Sequence, residues 1–389
     1  MLDIGYRALE VQLTRDGTLA MLGMPRTPEY QLLQFSFSFW DAATGKHIRW
    51  GGDPGRDFRF EYSRMSPDGF LVASGDGLYD TRTGLKRTLP ASPIGAGGTP
   101  MFSPDGRLLA ASSNGIRVWE TASGRVLTDL PRGSGGSDQL AIAHDGRRLA
   151  CLGSEKLKVW DLWTNQIVVE IPSTNPVLLE RPWLSGGIAF SPDGRALAVG
   201  YSDGTILLWN VPPPSSESKW TDADLAPLWN DLGDESPANA YPSVWQLASR
   251  PADAVRMLRA KYPLVEAASP DEWKKLIAAL DSQRFVERES ATKRLRELGR
   301  ASVAPLRKAL DDKPSPEQFQ RIESLLTELD QPAGRPQGED LRVIRAVAVL
   351  EACGTDDARR MLTEWAERGM TPRLAYESAK AADRLRFRK

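Results

Sequence analysis

Histidine and cysteine are nearly absent from this 389-residue chain, which holds two of each: His47, His144, Cys151 and Cys353. A zinc site brings about four His, Cys or carboxylate ligands to one point, and these four residues are scattered. The same scarcity argues against a Ser-His-Asp catalytic set, since neither histidine lies in a recognisable motif. Two cysteines make no disulfide framework, and each sits in an apolar run, so both are expected as buried thiols in a reducing compartment. Charge of one sign is also missing. Residues 1–214 hold 21 basic and 22 acidic side chains and 215–389 hold 29 of each, for a net charge of −1. A nucleic-acid or anionic-membrane binder usually carries a basic excess. No apolar run approaches the roughly 18 residues of a membrane span, and the N-terminus lacks a basic segment followed by an apolar one. The expected location is the cytoplasm. The glycine clusters at Gly95–Gly98 and Gly133–Ser137 have no Lys-Ser/Thr ending and open no helix, so they read as connectors rather than phosphate loops.

What the first half does contain is a repeat. An apolar strand enters a Ser-Pro-Asp-Gly type turn, a second strand and a short turn follow, and a third strand ends in Trp-Asp or a near relative before a Thr-x-x-Gly type turn. The first turns are Val11–Gly17, Met65–Gly69, Phe102–Gly106, Ala143–Gly146 and Phe190–Gly194; the closing aromatics are Trp40, Tyr79, Trp119, Trp160 and Trp209. These anchors are spaced by 39, 40, 41 and 49 residues, near the period of one four-stranded propeller blade. Asp-Gly supplies the positive φ of a tight hairpin, and the anchor fills space between neighbouring blades. The carboxylates Asp16, Asp68, Asp105, Asp145 and Asp193 are accordingly turn formers.

On these motifs, above all Phe-Ser-Pro-Asp-Gly-Arg followed by Val-Trp, residues 8–211 resemble the WD-repeat family. The resemblance implies a β-propeller. The family often carries a Gly-His pair whose imidazole joins a buried network; here neither histidine follows a glycine, so blades less rigid than the family consensus are expected. Five repeats are legible, and the fifth stops at Val211 without a fourth strand, which Met1–Gly5 could supply. A closed five-membered ring, an open ring and a ring lacking upstream blades all fit; a closed or nearly closed ring is the expectation, because an open one exposes strand edges.

Residues 212–220 form a Pro/Ser-rich linker, after which the period changes from 2 to 3.6. Ser269–Glu272 and Ser315–Gln318 each place an N-cap Ser, a first-turn Pro and an acid or amide, and Gly354 followed by Thr355 marks a stop and a new start. Asp311-Asp312 and Asp356-Asp357 read as a helix end and a helix start rather than a metal pair. About ten short helices are expected between 221 and 386, stacked as antiparallel pairs in a HEAT-like, helical-repeat arrangement. Leu276–Phe285, Ala291–Gly299 and Arg345–Thr355 resemble the helical region that follows WD repeats in planctomycete-type bacterial proteins, a resemblance that implies architecture more than activity.

The fold class is therefore multidomain: an all-β propeller over 1–211, a linker over 212–220 and an all-α domain over 221–389. Trp163, Trp183 and Tyr201 fall in connections that could lie on a rim, where aromatics serve as partner anchors. The expected function is a non-enzymatic scaffold for protein or peptide partners, with no cofactor, metal, nucleic-acid, membrane or small-molecule partner. The alternative is a hydrolase with a carboxylate-bound metal in the propeller channel, which the small apolar side chains of the innermost strands, such as 140–143 and 187–190, argue against. The basic tail Arg384–Lys389 reads as a helix C-terminus favoured by the dipole.

Overall fold

A computed structural model describes residues 6–14, 18–25, 36–52, 63–75, 77–90, 100–112, 115–131, 139–153, 156–172, 187–200, 204–213, 221–266, 268–312, 314–330 and 335–386. Asp16, the two glycine clusters, Met1–Gly5, Trp183, Tyr201 and most of the linker lie outside them. The chain divides into two compact units, Met1–Ser215 with Ser236–Ala238, and Ser216–Glu235 with Asn239–Lys389.

The first unit contains five antiparallel sheets, each a meander in chain order. They are β1–β4 (Tyr6–Leu13, Thr18–Pro25, Ser36–Asp41, His47–Trp50), β5–β8 (Arg64–Met65, Leu71–Ser74, Gly77–Asp80, Lys86–Thr88), β9–β12 (Pro100–Phe102, Leu108–Ser112, Ile116–Glu120, Val126–Leu130), β13–β16 (Gln139–Ile142, Arg148–Leu152, Lys156–Asp161, Gln166–Pro172) and β17–β19 (Ile188–Phe190, Ala196–Gly200, Ile206–Asn210). The first strands β1, β5, β9, β13 and β17 lie side by side in that order. This is the architecture of WD-type propeller blades followed by a helical domain.

Each hairpin follows from its turn residues. In the third sheet the Ser103 hydroxyl donates to Asp105 Oδ1 at 2.5 Å, the Arg107 N–H donates to the same oxygen at 3.0 Å, and the Leu108 N–H donates to Ser103 Oγ at 2.9 Å. The same set recurs at Ser66/Asp68 and Ser191/Asp193. Gly69, Gly106, Gly146 and Gly194 follow at φ of 66–74°, where a Cβ would be strained. The closing turn of the fourth sheet uses Asn165 at φ 55° where the first three sheets use Gly45, Gly84 and Gly124, a left-handed position that Asn tolerates. Beside Trp40, Trp119 and Trp160 the third and fourth strands slip register, a bulge that bends the outer strand at the anchor.

Successive sheets share cores. Phe37 and Phe39 of the first meet Met65, Val72 and Tyr79 of the second. Leu78 of the second meets Phe102, Leu109 and Trp119 of the third. Leu157 and Val159 of the fourth meet Leu197, Val199 and Trp209 of the fifth. Two arginines cross between sheets: Arg87 Nη1 donates to the carbonyls of Thr121 and Ala122 at 2.6 and 2.7 Å, and Arg148 Nη1 donates to those of Gly194 and Pro212 at 2.7 and 3.3 Å. The expectation of a closed or nearly closed five-membered ring bears on the two ends of the series. Direct closure would bury Ile206 and Leu208 of β19 against the first sheet, yet both are exposed.

The second unit has ten α-helices among its described residues: α1 Leu225–Leu232, α2 Pro237–Ala248, α3 Pro251–Lys261, α4 Pro270–Ala279, α5 Phe285–Glu297, α6 Val303–Asp311, α7 Pro316–Asp330, α8 Glu339–Cys353, α9 Asp356–Arg368 and α10 Pro372–Arg386. The caps lie where their residues place them. Ser269, Ser315 and Thr355 hydroxyl oxygens accept the N–H groups of Glu272, Gln318 and Ala358, and Gly354 closes α8 in the left-handed region. Helices α4–α7 share one core. A second core is built from α1–α3 with α8–α10. Helix α8 buries Leu341, Val343, Ile344, Val347 and Leu350 and also Ala346, Ala348 and Val349, and it packs against α1, α3, α9 and α10. A helix buried over most of its circumference is enclosed by its neighbours, so this core is a bundle around α8 and not a series of consecutive pairs alone.

Candidate functional site

Several polar groups that could carry chemistry are occupied in holding the fold. Thr44 donates to Asp41 through both its N–H, at 2.6 Å, and its hydroxyl, at 2.7 Å. The Thr44 hydroxyl and N–H hold the Asp41 carboxyl below the usual carboxylate range, and the Ser191 hydroxyl and Arg195 N–H do the same for Asp193. At Asp80 burial alone would raise the carboxyl, but the Arg82 guanidinium and the N–H groups of Arg82 and Thr83 outweigh it and lower it. Each is an ionised acceptor at neutral pH rather than a poised acid. Among the described residues no group of three or more His, Cys, Asp or Glu could hold a metal ion. His47 lies exposed on β4 with its ring 4.9 Å from that of Trp40 and 4.4 Å from that of Trp50. Cys151 is buried, and burial pushes the half-buried Cys353 thiol up to about 12.

Trp163 is the one of the three sequence-predicted partner residues that lies among the described residues. It follows β15 in the closing turn of the fourth sheet. Its backbone N–H donates to Asp161 Oδ1 at 2.9 Å. Arg147, from the preceding hairpin, binds the same buried Asp161 at 3.0 Å through Nε and 2.6 Å through Nη2, and its guanidinium carbon lies 4.6 Å from the centre of the Trp163 ring. Trp163 is thus half-buried, its backbone held by one carboxylate and its indole stacked by the cation that pairs with that carboxylate. Sequence reasoning found the tryptophan and missed Arg147 and Asp161; the Trp-Asp pair itself was the available signal, since a buried Asp needs a cation.

Other exposed apolar side chains went unremarked in the sequence. Ile48 and Trp50 lie on the outermost strand β4, Ile167 and Val168 on β16, and Leu85 precedes β8. In the helical unit Phe285 and Val286 open α5 and Phe319 lies on α7, all exposed. Arg384 departs from its expected role as a dipole-facing surface charge: its Nε and Nη2 each donate at 2.7 Å to the buried Glu351 of α8. Trp229 is flanked by Lys261 and Arg342 at 5.3 and 5.1 Å and by the Tyr262 ring at 5.4 Å. The Tyr262 hydroxyl donates to Glu339 at 2.7 Å, and burial together with that carboxylate pushes the phenol upward, out of reach as an acid. No helix among the described residues is long and apolar enough to cross a membrane.

Residues 186–210, which hold the fifth sheet, match the family described as WD domain, G-beta repeat. Curated relatives include the small ribosomal subunit protein RACK1z of Oryza sativa subsp. japonica, 31% identical over 111 residues, or 28% of this chain and 33% of that protein. The target of rapamycin complex subunit wat1 of Schizosaccharomyces pombe is 27% identical over 125 residues, or 31% of this chain and 37% of that one. The periodic tryptophan protein 2 homolog of the same yeast is 29% identical over 113 residues, or 28% and 12%. The chain thus spans less than two fifths of each. These similarities fall on the WD-type repeats of the first unit.

Proposed function

We propose that this chain is a non-enzymatic interaction scaffold that binds protein or peptide partners through the rim of its stacked sheets and through its helical surface. The observation that carries the reading is the rim itself: a rigidly held indole at Trp163 and exposed aliphatic and aromatic side chains on the outermost strands β4 and β16, on a frame whose carboxylates are consumed by turns. Fixed aromatic anchors with a polar surround are what a partner interface uses. Trp163 is the central contact, with Trp183 and Tyr201 assigned to the same role from their sequence positions. Residues 1–211 form the propeller domain, 212–220 the linker and 221–389 the helical domain, a division supported by the two compact units. The resemblance of 221–389 to the region following WD repeats in planctomycete-type proteins extends this reading to a bacterial cytoplasmic protein.

The test uses the full chain as bait in a native extract, with partners quantified by mass spectrometry against a Trp163→Ala bait of matched folding. A hot-spot tryptophan contributes about 2 kcal/mol or more, so a partner using this surface falls at least roughly tenfold in retention. Equal retention of every captured protein by both baits rules out Trp163 as the contact.

A further inference from the structure

The sheets stack by one positional rule. In the third strands of the first, second and fourth sheets, described residues one and three places before the aromatic anchor share a core with the anchor of the following sheet. Phe37 and Phe39, Leu78, Ile116 and Val118, and Leu157 and Val159 occupy these places in the first four sheets, and each is 3% exposed or less. Tyr79 shares a core with Phe37 and Phe39, Trp119 with Leu78, and Trp209 with Leu157 and Val159. The same places in the fifth sheet are Ile206 and Leu208, which are 68% and 74% exposed. Ala198, directly opposite Leu208 on β18, and Ala189, opposite Ala198 on β17, complete a flat apolar face.

The first sheet shows the opposite deficit. Its anchor-bearing face has Leu13, Leu19 and Trp40 in one cross-strand row and Val11 and Met21 in the next. Tyr79, Trp119 and Trp160 are buried, whereas Trp40, like Trp209, is half-buried, and Val11 and Leu13 beside Trp40 are 50% and 58% exposed. One chain therefore carries both halves of the interface that joins its own sheets: a receiving face on β19 and an anchor face around Trp40.

We propose that the Ile206/Leu208 face of one copy receives the Trp40/Leu13 face of a second copy, head to tail, continuing the stacking rule across the molecular boundary. The occupant is a second copy because the receiving face calls for an anchor-bearing sheet, and this chain presents one with its apolar side chains in water. Contact between two different faces is heterologous, so association proceeds beyond a pair unless its geometry closes.

Sedimentation velocity of the full chain over roughly a hundredfold range of concentration tests this. The wild-type sedimentation coefficient rises with concentration. Leu208→Glu and Leu13→Glu, each at a surface position and each checked for native circular dichroism, remain at the monomer value, with affinity reduced at least tenfold. An equimolar mixture of the two forms a 1:1 pair and nothing larger, because each retains one working face. Ile206→Lys replaces Leu208→Glu if the latter fails to fold. A wild type that stays monomeric throughout, whether from closure within one chain or from a requirement for a different partner sheet, overturns the proposal. So does a mixture of the two variants that stays monomeric, or a self-association that Leu208→Glu leaves unchanged.

Discussion

Asp161 accepts hydrogen bonds from Arg147 and from the Trp163 N–H while nearly out of contact with water. A buried pair of this kind contributes little net stability over an apolar replacement, but removing one partner leaves an uncompensated charge. Arg147→Ala is expected to destabilise the first unit by about 3–5 kcal/mol, read as a lower urea midpoint, and to free the Trp163 ring, read as a red-shifted indole fluorescence. Restoring most of the stability with Arg147→Ala/Asp161→Asn identifies the stranded carboxylate as the cause. The turn carboxylates set a pH limit. Asp41, Asp80 and Asp193 are held below their ordinary range in the fold. Their contribution is complete above the unfolded carboxylate value of about 3.9 and is lost as pH falls through the folded values. Stability is expected to drop on acidification below about pH 4, with a shallower drop in Asp80→Asn; an identical acid profile in that variant sinks the assignment.

Single elements are where sequence and structure agree most closely, and for a local reason. The Ser-Asp-Gly turns, the Ser269, Ser315 and Thr355 caps and the Gly354 stop each satisfy their backbone within a few residues, so the motif alone contains its explanation. Thr355→Ala removes the hydroxyl that accepts the Ala358 N–H and is expected to cost about 1 kcal/mol, measured by denaturant unfolding, with Thr355→Ser nearly neutral. What the sequence left hidden depends on distant partners. Arg384 and Glu351 lie 33 residues apart and meet only when α10 packs on α8. Arg345 is fully buried because its guanidinium donates to the carbonyls of Leu232 and Asp234, more than 100 residues away. The enclosure of α8 was legible in its run of apolar residues only in part, since two charged side chains interrupt it. Of the proposed contacts, Trp163 was legible from the Trp-Asp motif, but its rigidity was not, because Arg147 belongs to a different hairpin.

At the scale of the whole chain the cores are separate. The sheets bury their apolar residues against one another, and the helices bury theirs in two cores of their own. Two compact units are expected to unfold in more than one step. Differential scanning calorimetry should give a calorimetric enthalpy larger than the van't Hoff enthalpy, and substitution of Leu109 by Ala in the first unit should move one transition only. A single two-state transition that shifts as a whole argues that the units are energetically coupled.

The positional rule joining the sheets also has a direction in time. Translation delivers each sheet before the one whose anchor covers it, so every sheet leaves the ribosome with a bare apolar face that is sealed only when roughly 40 further residues have emerged, the spacing of successive anchors. The nascent chain thus carries one advancing open end beside the standing anchor face of the first sheet. Synthesis covers the receiving faces of the earlier sheets one after another, and the moving apolar edge is always the most recently made one.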